Sequence, residues 1–206
     1  MNIIEKHIEK IMEKYTTGDK YDLLKSAKEY YIDATGKIDD ETDEYESRMS
    51  SFNDWYIFNY RREDGRRIID DYINDFKIDD ELAKAFHNVN YSLFSFAKYN
   101  LKKQMVLKDI LHNEKYVVNK DQKNIGLVPD DLFVGRVITY NKENYVLRGM
   151  CTLPGNVLSK LKKESRKIRK LNSQEEEEAF LLKLEQLKTK SLQYSHLDVN
   201  QIFVFS

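Results

Sequence analysis

The chain has 206 residues, of which 41% are hydrophobic and 33% charged, and its 34 Lys plus Arg against 35 Asp plus Glu leave a net charge of -1. That length suits one domain, or one domain with a helical appendage, and the balanced charge by itself points to neither nucleic acid nor membrane. Two Pro and seven Gly favour long helices and exclude a glycine-rich phosphate cradle of the dinucleotide or P-loop type.

Charged residues recur in every window of about 20 residues, so no membrane span is expected. Cys151 is the single cysteine and can form no internal disulfide. The start of the chain, Met1 to Lys6, lacks the apolar core of a signal peptide, and a cytoplasmic protein is expected.

Residues 3–15 place Ile4, Ile8, Ile11, Met12 and Tyr15 at the three-to-four spacing of an amphipathic helix. A second helix runs from Tyr21, with Leu23, Leu24, Ala27, Tyr30 and Tyr31 inward, until Gly36 stops it. The two are expected to form a hairpin over residues 1–36. Residues 37–47 are strongly acidic and read as a solvated linker, with Thr42 or Asp43 available to cap the third helix.

The stretch from Tyr45 to Tyr60 gathers Phe52, Trp55, Tyr56, Phe58 and Tyr60. Its spacing predicts a core helix packed on a sheet, with an aromatic stacking platform as the alternative. Arg61, Arg62, Arg66 and Arg67 then form a charged turn. Guanidinium groups there could hold a phosphate or carboxylate bidentately, but Glu63, Asp64, Asp70 and Asp71 offer local ion pairs, the simpler account. Two short helices come next, one burying Ile68, Ile69, Tyr72, Ile73 and Phe76, the other capped by Asp79 or Asp80 and burying Leu82, Ala83, Phe86 and Val89.

Residues 91–153 read as the β part of the chain. Strands are predicted at Ser92 to Tyr99, Gln104 to Leu111, Lys115 to Val118, Leu132 to Tyr140 and Tyr145 to Leu153, with polar breaks at residues 112–114 and 141–144. Asn in both breaks suits left-handed turn backbone. The pattern predicts an antiparallel meander or a small, partly closed barrel.

After Pro154 and Gly155 the chain returns to helix. Residues 157–170 carry Lys160, Lys162, Lys163, Arg166, Lys167, Arg169 and Lys170 against Glu164 alone. This is the best candidate for a polyanion contact, and pairing with the acidic run Glu175 to Glu178 is the competing account. A last helix, capped near Ser173, carries a seam of Phe180, Leu181, Leu184, Leu187 and Leu192, which could close on its own chain or on a second copy. The tail Val199 to Phe205 is expected to be an extra strand or a docked extended segment.

No residue is nominated as catalytic, cofactor-binding or metal-binding. His7, His87, His112 and His196 show no metal-ligand spacing. Cys151 sits in an apolar strand without a cationic partner and reads as packing. Asp54, Asp130 and Asp131 do not stand out among so many carboxylates.

Phe52-Asn-Asp54-Trp55-Tyr-Ile-Phe58-Asn-Tyr60, Tyr91-Ser92-Leu93-Phe94-Ser95-Phe96, Leu107-Lys-Asp109-Ile-Leu111 and His196-Leu-Asp198 carry a resemblance to an uncharacterised bacterial, deltaproteobacterial-type family. That family looks like an aromatic Asp-Trp-Phe-type helix motif followed by a Ser-Leu-Phe strand, a Leu-x-Asp-Leu strand and a Gly-Asp-x-Leu-x-x-Arg strand. Here the last motif reads Pro129-Asp130-Asp131-Leu132-Phe133-Val134-Gly135-Arg136, with Asp130 where the glycine is expected. The resemblance covers residues 45–206 and implies architecture, with no established activity.

The expectation is therefore an α+β protein with a helical N-terminal half, a central antiparallel meander or partly closed barrel, and C-terminal helices. A hairpin at 1–36 precedes an α+β domain at 45–206, with its β cassette at 91–153 and C-terminal helices at 156–194. Functionally it reads as a non-enzymatic cytoplasmic binding or interaction protein with a protein partner. The alternative is a nucleic-acid-binding module using the basic helix 160–170 and the β cassette. Whether that helix joins Lys98, Lys102, Lys103 and Lys108 in one patch is a question for the fold.

Overall fold

The structure is a computed structural model that describes residues 2–122 and 125–205. Five helices precede the sheet: α1 (Ile3–Tyr15), α2 (Tyr21–Thr35), α3 (Glu44–Phe58), α4 (Ile68–Phe76) and α5 (Asp80–His87). Six strands come after them: β1 (Asn90–Tyr99), β2 (Met105–Asp109), β3 (Lys115–Val117), β4 (Leu132–Tyr140), β5 (Glu143–Val146) and β6 (Cys151–Leu153). The chain then closes with α6 (Leu158–Leu171), α7 (Gln174–Gln193) and α8 (Val199–Ile202). The sheet runs β3-β2-β1-β4-β5, with β6 also on β4, every strand pair antiparallel, and it curls into a half-barrel. This is the α+β class that the periodicities predict.

Local chemistry explains the helix ends. Asn2 and Glu5 form a reciprocal capping box on α1, Asp79 accepts from Leu82 N–H at the start of α5, and Ser173 accepts from Glu176 N–H at the start of α7. Gly36 ends α2 at φ 86°, a left-handed backbone that costs glycine little. Asp43 precedes α3 but its side chain makes no capping bond. Asp130 adopts φ 74°, so the turn before β4 takes the conformation a glycine would favour, and the Asp130 N–H bonds Phe96 O at 2.9 Å to hold it there.

Three apolar clusters fill the molecule. The first joins Ile4, Ile11, Tyr15, Ala27 and Tyr31 of α1 and α2 to Phe52, Trp55, Tyr56, Ile69, Tyr72 and Phe86 of α3 to α5. The second lies between one sheet face and the C-terminal helices, with Leu93, Leu132, Val134 and Leu153 against Leu161, Leu181, Leu184 and Phe203. The third, Phe94, Phe96, Leu107, Phe133, Val137 and Val146, fills the inside of the half-barrel. Strand β4 is thus covered on both faces, as its unsorted apolar pattern requires.

Three expectations need correction. The strand predicted from Tyr145 to Leu153 is two strands, because the chain leaves the sheet between them to meet α3: Gly149 donates its N–H to Asp54 at 2.8 Å and lies so close to Asp54 and the Ser50 carbonyl that a side chain there would overlap both. The tail is not a strand but the single turn α8, started by Asp198 accepting from Asn200 N–H and anchored by buried Phe203. Tyr30 is 58% exposed and stacks on Trp55 at 5.7 Å instead of entering the core, since Ala27 and Tyr31 already fill the inward face of α2.

Candidate functional site

Helix α6 lies on the sheet through Leu161 and the half-buried Leu158 and Ile168, packed in the second cluster. Basic residues occupy most of its other positions, so one side of the helix is apolar and the remainder cationic. The seven basic residues divide sharply in their commitments. Lys160 donates to Asn200 O at 2.6 Å, Lys167 pairs with Glu164 at 2.8 Å, and Arg169 reaches Ile110 O at 3.4 Å while its Nε is buried without a partner. Lys162, Lys163, Arg166 and Lys170 are exposed, and no carboxylate among the described residues pairs with them.

The acidic run does not neutralise this face. Glu177 instead bonds His112 at 3.2 Å and Glu178 accepts from Trp55 Nε1 at 3.0 Å. The pairing account drawn from sequence order fails because α6 and α7 turn back on each other at Asn172, φ 50°, which sends the glutamates toward α3 and the β2–β3 turn.

Further cations stand on the sheet face against which α6 packs. Cross-strand partners share a side of a sheet, and the register runs Leu153↔Leu132, Leu132↔Ser95, Ser95↔Lys108 and Lys108↔Lys115. Leu153 and Leu132 are buried under the C-terminal helices, Ser95 and Lys108 are half-buried and Lys115 is exposed. Burial thus falls off along this face from β4 toward β3, where two lysines stand side by side. Lys98, Lys102 and Lys103 lie further off, toward the β1–β2 turn, and are exposed.

The arginine turn behaves differently. Arg62 grips Asp71 with two bonds of 2.7 and 3.0 Å, Arg66 pairs with Asp64 at 2.9 Å, and Arg67 pairs with Asp70 at 2.9 Å. Arg61 reaches only Gly65 O, at 3.3 Å. Three of the four guanidiniums are thus occupied by carboxylates of the same segment.

Two adjoining clefts run beside the first half of α7. One, of about 700 Å³, has Tyr30, Trp55 and Tyr60 on one wall and Glu175, Glu178 and Lys183 on the other. The other, of about 260 Å³, is polar and includes Asn59, Arg67, His87, Tyr91, His112 and Glu177. They share Asn59 and Glu178. The ionisable groups here are largely committed inside the protein. His112 hydrogen-bonds Asp109 at 2.9 Å, and that bond, helped by Glu177, raises its pKa to about 9, so at neutral pH it is a cation clamping the β2–β3 turn to α7. Burial alone would push the Asp109 carboxyl up, but bonds from His112, Asn90 and Ser92 outweigh it and hold the group below its usual range. Ser92 donates its hydroxyl to Asp109 at 2.6 Å, lies 3.3 Å from His112 Nδ1 and is fully buried.

Behind the clefts lies a buried polar knot. Glu185 accepts from Arg48 at 3.2 Å, from Tyr91 at 3.0 Å and from Tyr31. Arg136 is fully buried, donates to Asn59 at 2.9 and 2.7 Å and lies 3.8 Å over the Tyr91 ring. Burial pushes the Cys151 thiol up to about 12, which leaves it unreactive as a nucleophile. Among the described residues no three His, Cys, Asp or Glu side chains gather to hold a metal ion, and no helix is long and apolar enough to cross a membrane.

A family model described as a family of unknown function, DUF7986, matches residues 2–184. The chain belongs to that family. The match begins at Asn2, the N-cap of α1, and ends inside α7, so the family unit contains the N-terminal helices, the half-barrel and α6 together. Comparison with curated proteins and with solved structures finds no match.

Sequence order missed two features. Lys115 joins Lys108 only through strand pairing, and the Asp109, His112, Glu177 clamp spans three elements. The i, i+3 spacing of Asp109 and His112 is the one trace of the clamp that the sequence carries.

Proposed function

We propose that this member of DUF7986 is a cytoplasmic, non-catalytic binding protein and that its ligand is the phosphate backbone of a nucleic acid, held on the outer face of α6. The observation that carries this reading is the set of four exposed cations, Lys162, Lys163, Arg166 and Lys170, with no carboxylate partner among the described residues. Clustered cations in water gain by exchanging condensed counterions for themselves on a polyanion. The other basic cluster, at residues 61–67, is mostly paired within its own segment, which favours α6 between the two. The committed state of the ionisable groups in the clefts supports binding over catalysis.

The test is fluorescence anisotropy with a labelled DNA duplex of about 20 base pairs. Binding is expected at about 50 mM salt, weakening by about a hundredfold at about 200 mM if four phosphates are neutralised, following a slope of about -0.9 per phosphate. The variant carrying K162E, K163E, R166E and K170E, all at exposed positions, is expected to lose binding while keeping its circular dichroism spectrum. Absence of binding by the native chain at the lower salt, or equal binding by the variant, overturns the proposal.

A further inference from the structure

The basic face has a shape as well as a charge, and the shape discriminates between forms of nucleic acid. Lys162, Arg166 and Lys170 stand at i, i+4 and i+8 of one helix and Lys163 flanks them, a stripe about 12 Å long at 1.5 Å per residue. Lys108 and Lys115 sit directly opposite each other on β2 and β3, on the sheet face whose other end α6 covers. Two like charges in direct cross-strand register repel. No carboxylate among the described residues relieves them, whereas a bound phosphate would.

What the face lacks matters equally. The outward residues of α6 are Ser159, Lys162, Lys163, Arg166, Lys167, Lys170 and Leu171, with no aromatic ring and no amide side chain. Among the aromatic residues of the sheet, Phe94, Phe96 and Phe133 are buried in the half-barrel cluster, Tyr99 is exposed but packs edge-on against Phe96 of that cluster, and Trp55 is in the helical core. Adenine readout draws on Asn and Gln placed inside a groove, neither of which stands on the outward side of α6, and binding of a single strand relies on aromatic platforms worth about 1 to 3 kcal/mol per base. A flexible strand ordered on this face would lose conformational entropy with no stacking to offset it. Each phosphate of a duplex also releases more counterion than one of a single strand, with slopes of about -0.9 against -0.7.

Resting on the polyanion reading above, we infer that the partner is a double-stranded nucleic acid gripped by its backbone without sequence readout, and that Lys108 and Lys115 complete the contact begun by α6. The face holds the phosphates of a rigid duplex, and the bases stay paired and unread.

The experiment compares four labelled probes of equal length at low salt: two DNA duplexes of unrelated sequence, one of their single strands, and an RNA duplex. The two DNA duplexes are expected to bind within about twofold of each other and the single strand at least about tenfold more weakly. Binding of the RNA duplex at a similar strength extends the class to any duplex, and its failure restricts the class to DNA; either result is consistent with a double-stranded partner. The double variant K108E and K115E is expected to weaken duplex binding at least about tenfold and to lower the salt slope by about two phosphates, with α6 intact. Its melting temperature reports whether the sheet is unharmed, and the single variants K108Q and K115Q, each losing one phosphate from the slope, replace it if it is not. A single strand that binds as tightly as the duplex, a tenfold preference between the two duplex sequences, or an unchanged slope in the lysine variants overturns this inference and leaves the polyanion reading standing. Failure of every probe to bind removes both.

Discussion

Asp54 is a carboxylate buried at the junction of α3 and the bend between β5 and β6, where it accepts the Gly149 N–H at 2.8 Å. Burial raises its pKa from 3.8 to about 6, against the pull of Arg136 and of the Gly149 bond. A folded pKa above the unfolded one means that the stabilising contribution is complete below about pH 4 and is lost as pH rises through 6. Asp54→Asn keeps an oxygen for Gly149 and removes the ionisation. Relative to the native chain the variant is expected to gain roughly 3 kcal/mol between about pH 4 and pH 7, at 1.36 kcal/mol per pKa unit. Urea denaturation at the two pH values measures it, and parallel behaviour of the two proteins would disprove the assignment. The sequence marks Asp54 as part of the Phe52 to Tyr60 motif but says nothing of its chemistry, because what makes it unusual is the approach of a glycine 95 positions away.

Helix α7 shows the same division at the next scale. Its apolar seam is legible in the spacing of Phe180, Leu181, Leu184 and Leu187, all of them buried. Glu185, inside that seam, is 2% exposed and collects bonds from Arg48 of α3, Tyr31 of α2 and Tyr91 of β1. It ties four elements together. Glu185→Gln leaves the Arg48 cation buried without its counter-charge, and loss of one partner of a buried pair costs about 3 to 5 kcal/mol. Chemical denaturation is expected to show a loss in that range, and a variant as stable as the native chain would mean that the knot contributes packing alone. Periodicity finds the helix, but a buried carboxylate breaks the apolar pattern, and only the convergence of three donors makes its position tolerable.

Over the whole molecule, residues 1–90 carry a net charge of -8, residues 91–153 +4 and residues 154–206 +3. Within the negative half the arginine turn is an island, three of whose four cations are spent on Asp64, Asp70 and Asp71. Its contribution to polyanion binding is therefore expected to be small. A variant with R61A and R66A should keep the salt slope of duplex binding within about half a phosphate, while the α6 variants do not. A slope that falls as far for the turn as for α6 would assign the contact to the wrong half of the chain.

The sequence by itself determined the class of the fold and most of its elements, because helix and strand periods, caps and turn residues act over fewer than about ten positions. It marked both basic clusters, since composition is local too. Which cluster stays free was decided by the tertiary structure. The reversal at Asn172 turns Glu177 and Glu178 away toward His112 and Trp55, strand pairing sets Lys115 beside Lys108, and the arginine turn closes on its own aspartates. Charge neutralisation depends on distances of a few ångströms between residues far apart in the chain, and those distances exist only once the chain has folded.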